Sequence, residues 1–398
     1  MNTPNDALPW RDLARVGTAI LGLFLAFGCL LPVLPLWAEA KLGRFTDVGF
    51  VVTLAVGLGL ILGRPIAARM MEGRPRAPTI VAGTLLCSAS ALAFPFLSDI
   101  WPIFTLRMVQ GVGFGMVTTA GVSLITDLSP PTRRGQVLGY YGASNAISLI
   151  AGPALGAAVA RHWHLDSAFW LAGTLGILPL FALVGLKEPA KPRVPGRLRL
   201  LEALTLPHLK PLVLAHFLVL MVHGAQLTFL PAQLKHNPGW MTTEWFYAID
   251  GMALILLRVG VGRRFDSFGR GPFIYGGALL ILAAAVLLGQ GTGDAAWCAA
   301  AILYGLGFGA YVPASNALAG DVVPETHRAR GFAFFLLAFD LSMACGGAAF
   351  GPLADAWSPA VALTAAAGTT ALGALVYVAI RKTVSQGQGG RKLQTAPR

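Results

Sequence analysis

The sequence contains the same pattern twice. The segment Gln110–Gly115 reads QGVGFG, and it returns 194 residues later at Tyr304–Gly309 as YGLGFG. The same shift places Asp127 on Asp321. Both copies lie in long apolar runs, and hydrophobic residues fill 55% of the 398 positions while charged residues fill only 12%. Because a soluble domain carries about 25% charged residues, we expect an all-α membrane protein built from two related halves.

The apolar runs and their interruptions predict twelve membrane-spanning helices. Each run is close to the roughly 20 residues that an α-helix needs to cross a bilayer. The predicted spans cover residues 14–38, 46–68, 78–98, 101–126, 135–160, 165–186, 208–233, 241–262, 272–291, 295–320, 329–354 and 359–381.

The predicted spans fall into two bundles of six. Residues 1–190 form the N-terminal bundle and residues 207–384 form the C-terminal bundle. Residues 191–206 are basic and contain prolines, which indicates an extended cytoplasmic linker. Residues 385–398 are rich in Gly and Gln, which predicts a disordered cytoplasmic tail.

The basic charge of the chain is distributed unevenly. A net charge of +12 in a soluble protein would indicate a nucleic-acid partner. Here most basic residues fall on one side of the predicted spans, and the other side holds only Lys41, Arg44, Arg161 and Lys235. Since basic loops stay in the cytoplasm, the charge indicates topology: a multi-pass protein of the cell (inner) membrane with both termini cytoplasmic. We expect contact with the lipid bilayer and none with nucleic acid.

The four cysteines lie in apolar runs and form no C-x-x-C pair. This spacing predicts small buried side chains, with no metal site and no disulfide framework. The chain also has no H-E-x-x-H motif and no credible pair of nucleophile and base. We therefore expect neither an enzyme nor a membrane-embedded sensor, and no cofactor.

Four segments combine glycine, proline and charge at regular spacing. They are the loop Gly262–Arg270, its shortened partner Arg64–Arg74, the span-four segment Arg107–Gly111 and the span-five segment Gly142–Gly156. These patterns resemble the signatures of the major facilitator superfamily, within its twelve-span drug:proton antiporter branch. The resemblance covers residues 15–382. In the partner loop a Glu stands where the family has an Asp, and the Gly-Arg pair comes early.

The resemblance implies two pseudo-symmetric six-helix bundles that export a small organic molecule, a drug-like compound or a metabolite. It implies proton antiport with alternating access, and a role for Arg107 in proton coupling. It also identifies Gly152, Pro153 and Gly156 as an exporter signature that uptake members generally lack. A Gly-Pro pair inside a span frees a backbone carbonyl and permits a bend; a static kink is the alternative.

Three ionisable side chains at membrane depth are candidates for proton coupling. At ~1.5 Å per residue, Asp340 lies roughly 15 Å into the eleventh span, while Asp250 and Arg107 each lie roughly 10 Å into theirs. Charged groups inside a membrane are costly and by default indicate a functional site. For each acid the alternative is a structural pair with an arginine.

A polar stripe on the seventh span and a polar patch on the fifth are candidates for lining a substrate cavity. The stripe comprises His216, His223 and Gln226, and the patch comprises Ser144, Asn145 and Ser148. Residues three, four or seven apart share a helix face, so each group faces one direction. Hydrogen bonding between helices is the alternative for the stripe, and a metal site would need a third ligand.

Charged residues in two cytoplasmic loops are candidates for a gate. They are Arg69, Glu72 and Arg74 in the first half, with the counterparts Arg263, Asp266 and Arg270 in the second. Exposed charge pairs contribute at most ~1 kcal/mol each. We therefore expect salt bridges that form and break without a large barrier.

These features predict a secondary transporter that binds a small-molecule substrate and protons and works as a monomer. Two alternatives stay open. One is export of a siderophore- or metallophore-like polar metabolite, which Arg107 and the polar stripe would suit. The other is proton-coupled uptake of a sugar or an organic acid.

Overall fold

The described part of the chain is built from helices. The computed structural model describes residues 8–394 apart from 187, 189–208, 236, 262–268 and 324–327. Within these residues twelve long helices follow one another and no strand occurs. This confirms the all-α class predicted from the sequence.

The twelve helices are numbered in chain order. In the first half they are α1 (Trp10–Leu42), α2 (Phe45–Met70), α3 (Ala77–Phe96), α4 (Ile100–Leu128), α5 (Arg134–His162) and α6 (Leu165–Leu183). In the second half they are α7 (Leu209–Leu234), α8 (Thr243–Val261), α9 (Gly271–Gln290), α10 (Asp294–Val322), α11 (Arg328–Ala356) and α12 (Pro359–Gln394).

Three of the helices contain turns that are not α-helical. A π-helical turn, Phe50–Ala55, interrupts α2 between Phe45–Gly49 and Val56–Met70. The last turns of α3 and α6, Phe94–Phe96 and Leu178–Leu183, are 3-10 helices. A π turn inside an α-helix often marks a functional site, and the one in α2 contacts α4 at Arg107.

The internal repeat is present in the structure with the spacing found in the sequence. Four consecutive helices of the first half each begin 194 residues before a helix of the second half. The starts are Ala77, Ile100, Arg134 and Leu165 in the first half and Gly271, Asp294, Arg328 and Pro359 in the second. The halves are therefore pseudo-symmetric in the order and starting positions of these helices.

In the part of the chain that the structure describes, ten helices are long and apolar enough to cross a membrane. The other two, α5 with 29 residues and α8 with 19 residues, occupy the places of the predicted fifth and eighth spans. The helices thus follow the predicted sequence of twelve spans.

The chain divides into two compact units. The first comprises Met1–Pro195 and Thr243–Gly251, and the second comprises Gly196–Thr242 and Met252–Arg398. The beginning of α8 therefore groups with the first unit. Helix α12 continues to Gln394, beyond the start of the predicted tail. The division into bundles, linker and tail made from the sequence stays a prediction.

Each unit has, at one end, a polar contact that involves partly buried side chains. In the first unit Trp37 packs on Phe169, with ring centroids 5.1 Å apart, and its indole Nε1 donates a hydrogen bond of 2.7 Å to Oδ1 of Asp166. In the second unit the Asp294 carboxylate accepts hydrogen bonds from Asn237 Nδ2 at 2.8 Å and Met241 N at 3.1 Å. The loop between α7 and α8 is thereby tied to the start of α10.

Glycines set the closest helix contacts, and they do so at related places in the two units. In the first unit a Cβ on Gly152 of α5 would lie 2.7 Å from Cα of Gly28 in α1. In the second unit a Cβ on Gly346 of α11 would lie 3.0 Å from Cα of Gly224 in α7. Small residues allow helices to approach in lipid, where association depends on packing. The same helix crossing is therefore built twice.

Candidate functional site

Arg107 is a buried charge in the first unit, with 3% of the residue exposed. Its Nη1 donates a hydrogen bond of 2.5 Å to Oε1 of Gln110, one turn further along α4. Its Nη2 donates a long bond of 3.5 Å to the carbonyl of Val52, in the π-helical turn of α2. Its Nε has no hydrogen-bond partner among the described residues. Since an arginine keeps its charge in proteins, this part of α4 carries a permanent cation with one unused donor.

Aromatic rings cover the Arg107 guanidinium. Its Cζ lies 5.1 Å from the ring centroid of Phe27 in α1, and at this range a cation–π contact contributes about 0.5–2 kcal/mol. The Phe27 ring stacks on Phe114 of α4 with centroids 4.4 Å apart. In the described part of the chain no carboxylate pairs with Arg107. Its charge is therefore compensated by amide and carbonyl oxygens and by the face of a ring.

The second unit contains an aromatic cluster, which we define as His223 of α7, Tyr304 and Phe308 of α10, and Phe339 of α11. His223 Nδ1 and the Tyr304 hydroxyl are joined by a hydrogen bond of 2.8 Å. The His223 ring lies 4.9 Å from Phe308 and 6.3 Å from Phe339. Tyr304 is 1% exposed, whereas the other three residues are partly exposed. The aromatic cluster thus combines one buried residue with three that keep part of their surface exposed.

Two polar residues of the predicted stripe on α7 are buried without partners. His216 and Gln226 are each 1% exposed, and among the described residues neither ring nitrogen of His216 nor either amide atom of Gln226 has a hydrogen-bond partner. His216 packs among rings, 4.2 Å from Phe335 and 5.6 Å from Tyr311. A buried polar atom without a partner costs about 1–3 kcal/mol. Burying His216 and Gln226 therefore destabilises the fold. Of the three residues in the stripe, only His223 has a hydrogen bond to another helix in the described structure.

The two candidate acids lie in different environments. Asp340 of α11 is 2% exposed and directly follows Phe339 of the aromatic cluster. Asp250 of α8 is partly exposed, and its buried Oδ1 has no hydrogen-bond partner in the described structure. One turn earlier on α8, the buried Tyr247 hydroxyl also has none. Asp340 belongs to the second unit, whereas Asp250 lies in the segment that groups with the first.

The exporter-like segment of α5 is packed directly on the backbone of α1. Gly156 lies against the carbonyl of Cys29 so closely that a Cβ would overlap it. Pro153, inside α5, is buried next to Gly152 and its contact with Gly28. The three signature residues therefore lie along the α1–α5 crossing, with glycines where the two backbones meet.

The polar patch predicted on α5 is described only in part. Ser148 is 2% exposed, and its carbonyl would lie 2.8 Å from a Cβ on Gly28, so it belongs to the same crossing. The side chains of Ser144 and Asn145 lie outside the described residues. Their predicted place in a cavity stays a prediction.

Each unit contains one ion pair between the start of its third helix and the end of its fourth. Arg76 Nε lies 3.1 Å from Asp127 Oδ2, and both side chains are largely buried, at 16% and 8% exposed. The two atoms are close enough for an ion pair but are not aligned as a hydrogen bond. Arg270 Nη1 lies 2.9 Å from Asp321 Oδ2, with side chains 33% and 36% exposed. The two pairs are related by the shift of 194 residues.

The other residues predicted for the gate are either exposed or outside the described part of the chain. Arg69, Glu72 and Arg74 are exposed, while Arg263 and Asp266 lie outside the described residues. Of the residues predicted for the gate, Arg270 is the one whose ion pair the structure gives.

Sequence reasoning missed Arg76, although a signal for it was present. The residue 194 positions before Arg270 is Arg76 and not Arg74, so a strict use of the repeat would have found it. The carboxylate of Glu188 also went unnoticed: it accepts hydrogen bonds from the backbone N–H groups of Arg76 at 2.5 Å and Ala77 at 2.7 Å. Glu188 therefore caps the N-terminus of α3, where negative charge is favourable.

Two helical units with related crossings and buried charges fit the family resemblance, and the family itself is shown by comparison. The chain matches the Major Facilitator Superfamily over residues 16–297 and 261–398. It belongs to this superfamily. The chain is therefore a multi-pass membrane transporter and not an enzyme.

Individual relatives are distant. The multi-drug resistance efflux pump PmrA of Streptococcus pneumoniae is 23% identical over 364 residues, which cover 87% of this chain and 88% of that protein. The class B tetracycline resistance protein of Escherichia coli is 27% identical over 162 residues, 40% of each chain. Among solved structures, the nucleoside transporter NupG has a TM-score of 0.80 at 12% identity, covering 93% of this chain and 99% of that one. The structural match shows the fold alone.

Proposed function

We propose that the chain exports a small organic molecule across the cytoplasmic membrane in exchange for protons, by alternating access. The direction is supported by the relatives named as an efflux pump and a resistance protein. We also base it on the segment of Gly152 and Gly156, which resembles an exporter signature and whose glycines lie against the backbone of α1. In this proposal the chain works as a monomer with both termini in the cytoplasm.

The observation that carries the proton coupling is the burial of Asp340, which is 2% exposed within α11. Ionisable side chains at such positions are rare and typical of proton relays. We assign the coupling proton first to Asp340 and second to Asp250. Arg107 then acts as the fixed cation of the transport cycle, since it has no carboxylate partner in the described structure.

The test is ethidium transport by the purified full chain in proteoliposomes. An imposed pH gradient is expected to drive ethidium against its own gradient, and Asp340→Asn is expected to abolish this movement while the protein still folds and inserts. Asp355→Asn, at an exposed position near the end of α11, is the matched control and should transport normally. Gradient-driven transport at the wild-type rate in Asp340→Asn would contradict the assignment to this residue.

A second candidate cargo is a polar, anionic metabolite such as a siderophore- or metallophore-like molecule. The unused Nε donor of Arg107 favours it, because a buried guanidinium pairs well with carboxylates. Comparing metabolites in cells and medium with and without the chain distinguishes the two cargoes. Accumulation of a sugar or an organic acid inside the cells would instead support proton-coupled uptake.

A further inference from the structure

In the aromatic cluster of the second unit, three rings lie next to one another at small angles between their planes, with the His223 and Phe308 centroids 4.9 Å apart. The planes of His223 and Tyr304 are 15° apart, and those of Tyr304 and Phe308 are 18° apart, each with centroids separated by 6.0 Å. Phe339 stands at 64° to Phe308 and closes one edge. Tyr304 is buried, whereas His223, Phe308 and Phe339 keep part of their surface free. A flat ring can therefore pack against the surface that these three residues leave exposed.

Gln226 carries a hydrogen-bonding group on the same helix as His223 of the cluster. It lies one turn after His223 on α7, and residues three apart on a helix are neighbours on its surface. Gln226 is 1% exposed, and neither atom of its side-chain amide has a hydrogen-bond partner in the described structure. A buried amide of this kind is destabilising, and it is satisfied when a bound molecule supplies a donor or an acceptor.

We propose that His223, Phe308, Phe339 and Gln226 form a subsite for the planar aromatic ring of a substrate, and that the ring carries an amino or hydroxyl donor. The ring packs on the exposed surface of His223, Phe308 and Phe339, and its donor bonds to Oε1 of Gln226. The hydrogen bond of 2.8 Å between His223 and the Tyr304 hydroxyl fixes the orientation of the His223 ring. The inference rests on the proposed export of a small organic molecule, and it names the class of that molecule.

The test is equilibrium binding to the full chain in lipid nanodiscs, with no pH gradient. The probes are 7-amino-4-methylcoumarin, a flat neutral ring with an amino donor, and 4-methylcoumarin, the same ring without it. Phe308→Leu and Phe339→Leu are each expected to weaken the binding of both probes about threefold to tenfold, the range for one aromatic contact. Phe339→Tyr keeps the ring and should bind as the wild type does.

Phe335 supplies the matched control on the same helix. It lies one turn before Phe339 and is fully buried against His216. Phe335→Leu should therefore lower the melting temperature while leaving the Kd of both probes within about twofold. If Phe335→Leu weakens binding as much as Phe339→Leu does, the cluster is a packing core and the proposal fails.

Gln226→Leu measures the contribution of the amino donor to binding separately from that of the ring. It is expected to weaken binding of 7-amino-4-methylcoumarin about threefold to tenfold, as for one hydrogen bond, and to leave 4-methylcoumarin unchanged. The melting temperature should stay the same or rise, because an unpaired buried amide is removed. An equal effect on both probes, or no saturable binding of either probe to the wild type, overturns the subsite.

Because binding is measured without a gradient, a chain that binds the probes but fails to exchange ethidium for protons contradicts the proposed function and leaves the subsite standing.

Discussion

The two halves hold different chemistry at corresponding positions of one framework. Next to the α1–α4 contact of the first unit, Phe27 lies over Arg107 and stacks on Phe114. Next to the α7–α10 contact of the second unit, His223 lies on Phe308 and bonds to Tyr304.

The sequence repeat relates these residues one by one. A shift of 196 places Phe27 on His223, and a shift of 194 places Phe114 on Phe308 and Gln110 on Tyr304. The position of Arg107 becomes Ala301. At this position the first half has a cation and the second half has an alanine next to the aromatic cluster.

This difference shows which parts of a duplicated bundle are free to change. The glycine contacts that set the crossings recur in both units, because any side chain there meets backbone. Side chains beside the crossings meet other side chains and can be exchanged without moving a helix. The framework was kept in both copies, and the charged and aromatic groups diverged on it.

The largest expected effect tests the shared framework. Gly152→Leu and Gly346→Leu should each prevent folding, with the yield of monodisperse protein falling at least about tenfold, because overpacking against backbone costs roughly 1–3 kcal/mol or more. Size-exclusion chromatography of both variants measures this. Gly142→Leu is the control, since nothing lies within 4 Å of a Cβ there. A loss in only one half would show that the two crossings are not equivalent.

The next effect tests the difference between the halves. Arg107→Leu should reduce ethidium countertransport about 10- to 100-fold, since charge-assisted hydrogen bonds contribute roughly 1.5–3 kcal/mol. Arg258→Leu, which replaces an exposed arginine of α8, should stay within about twofold of the wild type. Equal losses in the two variants would mean that burial of the cation does not matter.

The two loop ion pairs provide a smaller contrast. Asp127→Asn should lower the free energy of unfolding by about 1–3 kcal/mol, because its pair with Arg76 is largely buried. Asp321→Asn should cost less than about 1 kcal/mol, because its pair with Arg270 is about one-third exposed. Thermal unfolding in detergent compares the variants. The reverse order would show that exposure does not set the strength of these pairs.

The smallest effect concerns the hydrogen bond inside the aromatic cluster. His223→Phe installs the residue of the first half at this position and removes the hydrogen bond between His223 and the Tyr304 hydroxyl. A double-mutant cycle with Tyr304→Phe should give a coupling of about 0.5–1.5 kcal/mol. Unfolding of the two single variants and the double variant supplies the data. A coupling of zero would mean that the bond does not stabilise the cluster.

Part of the candidate site could be predicted from the sequence by the repeat alone. Hydropathy predicts the spans. The 194-residue shift relates Arg76 to Arg270 and Asp127 to Asp321, so the residues of both ion pairs could be identified from the sequence. The cap that Glu188 gives to α3 could not be predicted, because it joins residues 112 and 111 positions apart that are separated by four helices. No periodicity reports such a contact.

The sequence by itself determined the helices, their number and order, and the duplication, because spans of about 20 apolar residues have one stable form in a bilayer. It also located the buried charges along the chain. The tertiary structure decided what those residues touch: that Arg107 is held by Gln110, Val52 and Phe27, and that His216 and Gln226 are buried unpaired while His223 is not. The physical reason is that helix formation depends on local sequence, whereas partners on different helices depend on how closely those helices cross.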